Sequence, residues 1–246
     1  MEQTPVNTVS AGITPVAHIE SPFTSKFGVP RQSGLAPSVT SRIVFEKTFA
    51  SEDALRGLSD FSHIWLIWGF SENASAGWHP TVRPPRLGGN TRVGVFATRS
   101  PFRPNGLGLS SVKIEAIEKD PKLGPVILIS GADLLDGTPI YDIKPYISTD
   151  CHPEAVCGFQ EGTKDYRLDV DFPPSLLAAV PAALQAGLLE TLSQDPRPGY
   201  QDDPERIYGL PFSGLDIRFR VSGRQLTVVQ VVSPAEISCV SPASST

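Results

Sequence analysis

Between Val16 and Ser130 the apolar residues fall into short runs: Val39 to Phe45, His63 to Phe70, Arg92 to Ala97, Ser110 to Ile117 and Val126 to Ser130. Each is cut off by Gly, Pro, Asn or Ser, and runs of that length between turn-forming residues read as strands. Val112, Ile114 and Ala116 alternate with Lys113 and Glu115, giving one buried and one wet face. A single short helix is expected near Ser51 to Leu58, with Ser51 as its N-cap and Glu52 and Asp53 favourable in the first turn. Successive strands with few helices between them imply a mainly β chain, with an antiparallel, barrel-like N-terminal domain over residues 15–150.

A second unit is expected over residues 151–235, a small α+β C-terminal domain. Leu177, Val180, Leu184, Leu188 and Leu192 recur at helical spacing, predicting one helix from Pro174 to Ser193. Pro173 and Pro174 suit its start, and Pro196 and Pro198 bar its continuation. Ile217, Phe219 and Val221 alternate with arginines and lead through Ser222-Gly223 into a second strand, a closing hairpin. Residues 1–14 and 236–246 read as loose tails.

Charge is unevenly placed. The chain carries a formal −5, yet Arg83, Arg86, Arg92, Arg99 and Arg103 stand among prolines and glycines with no carboxylate from Arg83 to Ser110. Arginines on a stiff backbone suit phosphate or carboxylate recognition; the plain alternative is a solvated loop paired with scattered acids. Three cysteines, Cys151, Cys157 and Cys239, fit reduced thiols better than a disulfide framework. Cys151-His152 with Cys157 is too loosely spaced for zinc, so no metal is expected. No apolar run reaches membrane-spanning length and no signal-peptide pattern opens the chain, so a cytoplasmic, membrane-free protein is expected.

Gly106-Leu107-Gly108 is the one glycine loop for a nucleotide, but it follows Phe102-Arg103-Pro104-Asn105 and leads into a strand instead of opening a helix. No nucleophile elbow is present either. Three segments stand out: Lys26 to Gln32, the arginine segment, and Gly131 to Tyr146 with Asp133, Asp136, Asp142 and Lys144. Asp136-Gly137 reads as a hairpin turn. Asp133 and Asp142 each interrupt an apolar run, where a carboxylate needs a partner or ligand.

In this order, Pro30-Arg31-Gln32, Phe61-Ser62-His63, Arg83 to Gly89 with Ala97 to Asn105, Asp136-Gly137-Thr138-Pro139 and Asp142 to Tyr146 resemble the hallmark blocks of the TrmO family of tRNA methyltransferases. Gln194-Asp195-Pro196-Arg197-Pro198 with Tyr200 extends the likeness into the C-terminal unit, over about residues 15 to 235. Gly106-Leu107 departs from the Pro-Ile of many relatives, and Thr149 to Leu176 matches least. The resemblance implies a β-barrel enzyme, working as a homodimer with the methyl donor near the subunit interface. It implies transfer of a methyl group from S-adenosylmethionine to N6 of N6-threonylcarbamoyladenosine at position 37 of tRNA. A noncatalytic RNA- or nucleotide-binding barrel and a same-fold methyltransferase with another acceptor are the alternatives.

On that resemblance, donor contacts are expected from Arg31, Gln32, Phe70, Ser71, Arg99, Leu109, Ala132, Asp133 and Leu134, several through the backbone. Arg99 is expected to clamp an anion, and Asp142 with Lys144 to form the polar pair nearest the chemistry. The arginines Arg83, Arg86, Arg92, Arg103 and Arg197, with Tyr200, are expected to face tRNA.

Overall fold

The computed structural model describes residues 12–71, 77–84, 87, 90–163, 166–197 and 203–233. Its N-terminal strands are β1 (Ala17–Glu20), β2 (Thr40–Phe45), β3 (His63–Gly69), β4 (Thr81–Val82), β5 (Val93–Gly94), β6 (Leu107–Asp120), β7 (Gly124–Ser130) and β8 (Pro139–Pro145). Six of them form an antiparallel, barrel-like sheet in the order β1-β2-β7-β6-β3-β8, and β8 returns to β1 at Ala17 with Ile140 and His18 with Pro139. β4 and β5 pair outside it, just before and within the arginine segment.

Inward positions of the strands fill the barrel. Ile19, Ile43, Ile64, Leu66, Val112, Ile127, Ile129 and Ile140 are all buried, and each such side chain contributes roughly 1.5–3 kcal/mol by leaving water. The expected alternation along β6 holds through Val112 and Ile114 and then slips. A bulge between Ile114 and Ala116 turns Ile117 toward the core, because one extra residue reverses the two-residue period.

Three other expectations are corrected. Glu52–Leu55 and Leu58–Asp60 are separate 3-10 turns, not one helix, since Gly57 between them is left-handed at φ 83°; Ser51 makes no side-chain cap. The Pro174 to Ser193 helix is broken into α1 (Pro174–Leu177) and α2 (Ala182–Ser193). Pro181 lacks the amide a continuous helix would need, and Gln185 Nε2 instead donates to the carbonyls of Leu177 and Val180 at 3.1 and 2.9 Å. Asp136-Gly137 does turn, but it joins β7 to β8, which are not neighbours. The turn is strapped to β1 instead, with Gly137 N donating to Ile19 O at 2.8 Å and Ser21 N to Asp136 Oδ1 at 2.9 Å.

The C-terminal unit contains β9 (Asp169–Asp171), α1, α2, β10 (Tyr208–Phe212), β11 (Leu215–Ser222) and β12 (Gln225–Val232). The last three form a meander whose β11–β12 hairpin turns at Gly223, and β9 adds in parallel to β12. Its core is not made by residues 151–235 alone. Phe23, Ala36 and Val39 are buried with Leu188, Leu210, Phe212 and Phe219, and Phe23 meets Phe212 edge-on with centroids 5.7 Å apart. Gly28, at φ 90°, lies so close to Leu210 that a Cβ there would stand 1.9 Å from Leu210 Cδ1. The loop between β1 and β2, which carries Arg31 and Gln32, is thereby moulded onto the second unit.

Candidate active site

Two cavities open side by side and share Lys26, Val29, Arg31, Gln32, Thr98, Arg99 and Pro101. The smaller, about 450 Å³, lies against the barrel and is walled by Trp68, Phe70, Leu107, Leu109 and Asp133. The larger, about 1020 Å³, runs between the arginine segment and the C-terminal unit.

A hydrogen-bonded chain organises the small cavity. Trp68 is the last inward residue of β3, after Ile64 and Leu66, and its Nε1 donates to Ser110 Oγ at 2.9 Å. Ser110 Oγ in turn donates to Asp133 Oδ1 at 2.6 Å. Trp68 lies over Gly108, its register partner across β3 and β6, where a Cβ would fall 2.3 Å from the indole. Here a strand needs glycine for the close approach of a ring. Phe70 then packs edge-on against Trp68 at 4.5 Å. Burial raises the Asp133 pKa above the usual carboxylate value; the Ser110 bond and the Arg99 charge oppose this less strongly.

Two arginines stand where the cavities meet. Arg99 Nη1 donates to Gln32 Oε1, and Arg31 Nη2 donates across the cleft to the carbonyl of Asp195 at 3.3 Å. Both guanidiniums stay on exposed residues, so a ligand anion can still reach them. Arg83 and Arg92 line the outer side of the broad cleft. Arg92 Nη1 donates to Thr81 Oγ1 at 3.1 Å, and β4 and β5 fix the backbone on either side. His79 sits edge-on to Phe102 at 5.4 Å on the same wall. Phe159, Gln160, Gln194 and Arg197 line the facing wall.

The expected residues therefore divide. Arg31, Gln32, Phe70, Ser71, Arg99, Leu109 and Asp133 line the small cavity together. Ala132 and Leu134 are buried in the barrel core, so alternation leaves Asp133 alone of the three facing the cavity. Asp142 and Lys144 line neither cavity. They pair with each other at 2.9 Å, with side chains 48% and 61% exposed, so solvent and the lysine satisfy the carboxylate.

Two arginines expected at an RNA surface are committed elsewhere. Arg103 Nη1 donates to Thr98 O at 2.6 Å while its guanidinium covers Phe96, bracing the 95–98 turn beside the small cavity. Arg197 is only 8% exposed and forks onto Asp195, with Nε and Nη2 bonds of 2.9 and 3.0 Å. Arg86 and Tyr200 lie outside the described residues. Sequence reasoning missed Trp68, Thr98, Ser110 and Thr138. Ser110 offered one signal, a hydroxyl in line with inward-facing Val112. Among the described residues no group of three or more His, Cys, Asp or Glu is placed to hold a metal ion, and no helix is long and apolar enough to cross a membrane.

Known proteins give this geometry a family. Residues 18–151 match the model of the tRNA-methyltransferase O N-terminal domain, and residues 165–234 that of the TrmO C-terminal domain. The tRNA (adenine(37)-N6)-methyltransferase of Escherichia coli (strain K12) is 38% identical over 215 residues, covering 83% of this chain and 90% of that one. The protein of the same name from Eikenella corrodens is 44% identical over 178 residues, 72% of this chain and 99% of that one. A crystal structure of TrmO from Pseudomonas aeruginosa superposes with a TM-score of 0.71 at 32% identity, over 90% of this chain and 98% of its own. With both halves matched and the architecture shared, the chain belongs to the TrmO family.

Proposed function

We propose that this protein is an S-adenosylmethionine-dependent tRNA methyltransferase acting on N6 of adenine 37, and that its substrate base is N6-threonylcarbamoyladenosine. The observation that carries this reading is the pair of cavities: a nucleoside-sized pocket opening, at Arg31 and Arg99, onto a cleft flanked by Arg83 and Arg92. A volume of about 450 Å³ lies in the range of small-ligand sites.

The residues of the small pocket fit the donor. Trp68, Phe70, Leu107 and Leu109 offer apolar faces for a purine or a thioether stem, and a partly buried carboxylate such as Asp133 seeks a cation or hydroxyl partner. Arg31 and Arg99 can take a carboxylate. S-adenosylmethionine supplies an activated methyl group, so what the chain must contribute is mainly position. Asp133, held by Ser110, fixes one end of the pocket. Arg99, oriented by Gln32, can hold the threonyl carboxylate of the acceptor at the rim and offset negative charge developing as N6 gives its proton to solvent; the N6–methyl bond then forms as the sulfonium's methyl–sulfur bond breaks and leaves a neutral thioether. The barrel wall keeps bulk water from one side of the reacting pair.

We further propose a homodimer whose partner completes the donor site, in the cytoplasm where tRNA is modified. A two-fold interface is the commonest arrangement for soluble oligomers. Sedimentation should show a dimer that tightens as donor is added; a monomer with full turnover would overturn this part. The function is tested by mass spectrometry of tRNA nucleosides after incubation with labelled donor. Label should enter adenine 37 only when the tRNA carries the threonylcarbamoyl group. Equal labelling of unmodified tRNA would overturn the assigned substrate base, and no labelling of either would overturn the enzyme reading.

A further inference from the structure

Asp195 ends the turn after α2 in a conformation rare for any residue but glycine, with φ at 53°. Aspartate tolerates this region when its side chain bonds locally, and here it does so densely. Its Oδ1 accepts Arg197 Nε at 2.9 Å and Arg197 N at 3.3 Å, while Oδ2 accepts Arg197 Nη2 at 3.0 Å and the Tyr166 hydroxyl at 3.3 Å. The two side chains of the ion pair are 13% and 8% exposed. The Asp195 amide donates to Leu192 O at 3.2 Å. With carboxylate and amide both fixed, its carbonyl has little freedom, and it is this carbonyl that accepts Arg31 Nη2 at 3.3 Å.

The same loop is held at two more points. Ser38 N and Oγ both donate to Glu190, each at 2.7 Å, and Gln194 Nε2 donates to Leu35 O at 3.2 Å. An exposed arginine has many rotamers, and ordering one costs entropy that a preset acceptor lowers. The small cavity thus receives its Arg31 side chain along a line drawn from the C-terminal unit.

We infer that Asp195 is a positioning residue: the left-handed knot it forms with Arg197 and Tyr166 aims Arg31 at the rim of the small cavity, so that the C-terminal unit sets how tightly the methyl donor is held. The inference rests on the reading that the donor occupies that cavity. Asp195 lines the broad cleft but not the small cavity, so in this scheme it acts on the donor only through Arg31.

Asp195→Ala, Asp195→Asn, Arg31→Ala and the Arg31→Ala/Asp195→Ala double variant test it, with S-adenosylmethionine binding read by calorimetry. Asp195→Ala should weaken binding about tenfold, since small misplacements at a site cost that much or more. Asparagine tolerates the left-handed region and keeps one oxygen for Arg197, so Asp195→Asn should recover affinity to within about threefold of wild type. In the Arg31→Ala background, Asp195→Ala should add nothing, the mark of two residues acting as one. An equal loss in both backgrounds overturns the inference.

A second readout needs no ligand. Amide hydrogen exchange over residues 31–35 should quicken in Asp195→Ala while the β10–β12 meander stays protected; unchanged exchange over 31–35 overturns the inference as well. Should wild type fail to bind the donor, the functional reading falls and the claim on donor affinity with it, while the exchange result still decides whether Asp195 orders the loop that carries Arg31. Where Asp195→Ala does not fold, Arg197→Lys, which keeps the charge but removes the fork, should show the same pattern at smaller size.

Discussion

The small cavity takes its apolar wall and one hydrogen-bonded chain from neighbouring strands of the barrel, with its arginines on loops at the rim, whereas the broad cleft is lined by side chains on turns and on the C-terminal unit. In the first, Trp68, Ser110 and Asp133 form one directed chain across β3, β6 and the segment after β7. In the second, Arg83 and Arg92 stand on exposed backbone beside a two-residue ladder. A site on packed strands holds one ligand in one pose; a site of exposed cations tolerates a flexible polyanion. Two arginines near the cleft are committed inward. Arg103 and Arg197 are spent on internal carbonyls and a carboxylate, so the cationic surface is narrower than the spacing of arginines in the chain suggests.

The contrast is most sharply broken at Arg99, which belongs to both cavities. Arg99→Ala is expected to lower turnover at saturating tRNA by about a hundredfold, in line with the loss of one positioned donor of charge-assisted bonds, while tRNA affinity stays nearly intact. Steady-state kinetics alongside filter binding would decide. A raised tRNA dissociation constant with unchanged turnover would move Arg99 to the outer surface.

The Arg83→Ala/Arg92→Ala double variant should do the opposite. Its tRNA affinity should fall about tenfold at moderate salt, and the slope of log affinity against log salt should shrink by roughly 0.7 for each lost contact to single-stranded RNA. Turnover at saturation should hold. A salt titration that leaves the slope unchanged would remove these residues from the RNA path.

Asp133→Asn tests the cost of the ordered chain. Burial raises the folded-state pKa of Asp133 above its unfolded value, so the native state binds the proton more tightly. Ionisation of this group therefore opposes folding: the cost is absent below the unfolded pKa, grows as pH rises toward the folded pKa, and is constant above it. The asparagine variant should melt higher than wild type at neutral pH and level with it in acid, while binding S-adenosylmethionine more weakly. Thermal melts across pH would expose a failure as a constant offset.

The smallest effect is expected at Asp142 and Lys144. As an exposed ion pair outside both cavities, the pair contributes about 1 kcal/mol or less. Asp142→Asn with Lys144→Met should change turnover less than about threefold, a loss of roughly 0.65 kcal/mol in the barrier. A drop of more than tenfold would bring the pair to the chemistry.

How much of this was legible in the chain varied with the range of the interaction. Strands β2, β3, β6 and β7 follow from short apolar or alternating runs between turn residues, and the three marked segments supply Arg31, Gln32, Arg99 and Asp133, which meet at the small cavity. Pro181 was visible too, but the leucine spacing around it suggested one helix where the ring forces two. Asp136-Gly137 has hairpin chemistry, and only the strand order reveals that its neighbours do not pair. Ser110 and Trp68 are far apart in sequence, and no local pattern announces that one hydroxyl will join an indole to a carboxylate. Asp142 is satisfied away from both cavities. A carboxylate in an apolar run needs a partner, but Lys144, two residues on along the same strand, already supplied it.

The burial of Phe23, Ala36 and Val39 in the core of the C-terminal unit also bears on how the protein is made. These residues leave the ribosome early, yet Leu188, Leu210 and Phe219 follow only after most of the barrel has been synthesised. At about 5 to 20 residues per second the delay is about 10 to 40 seconds, far longer than strands need to pair. The barrel can collapse in that interval, but the loop bearing Arg31 must wait, its aromatic and aliphatic side chains still in search of a home. Nascent chains stalled before β10 should therefore hold a folded barrel and an unfinished Arg31 loop, so that the small cavity matures last, once the C-terminal unit has arrived.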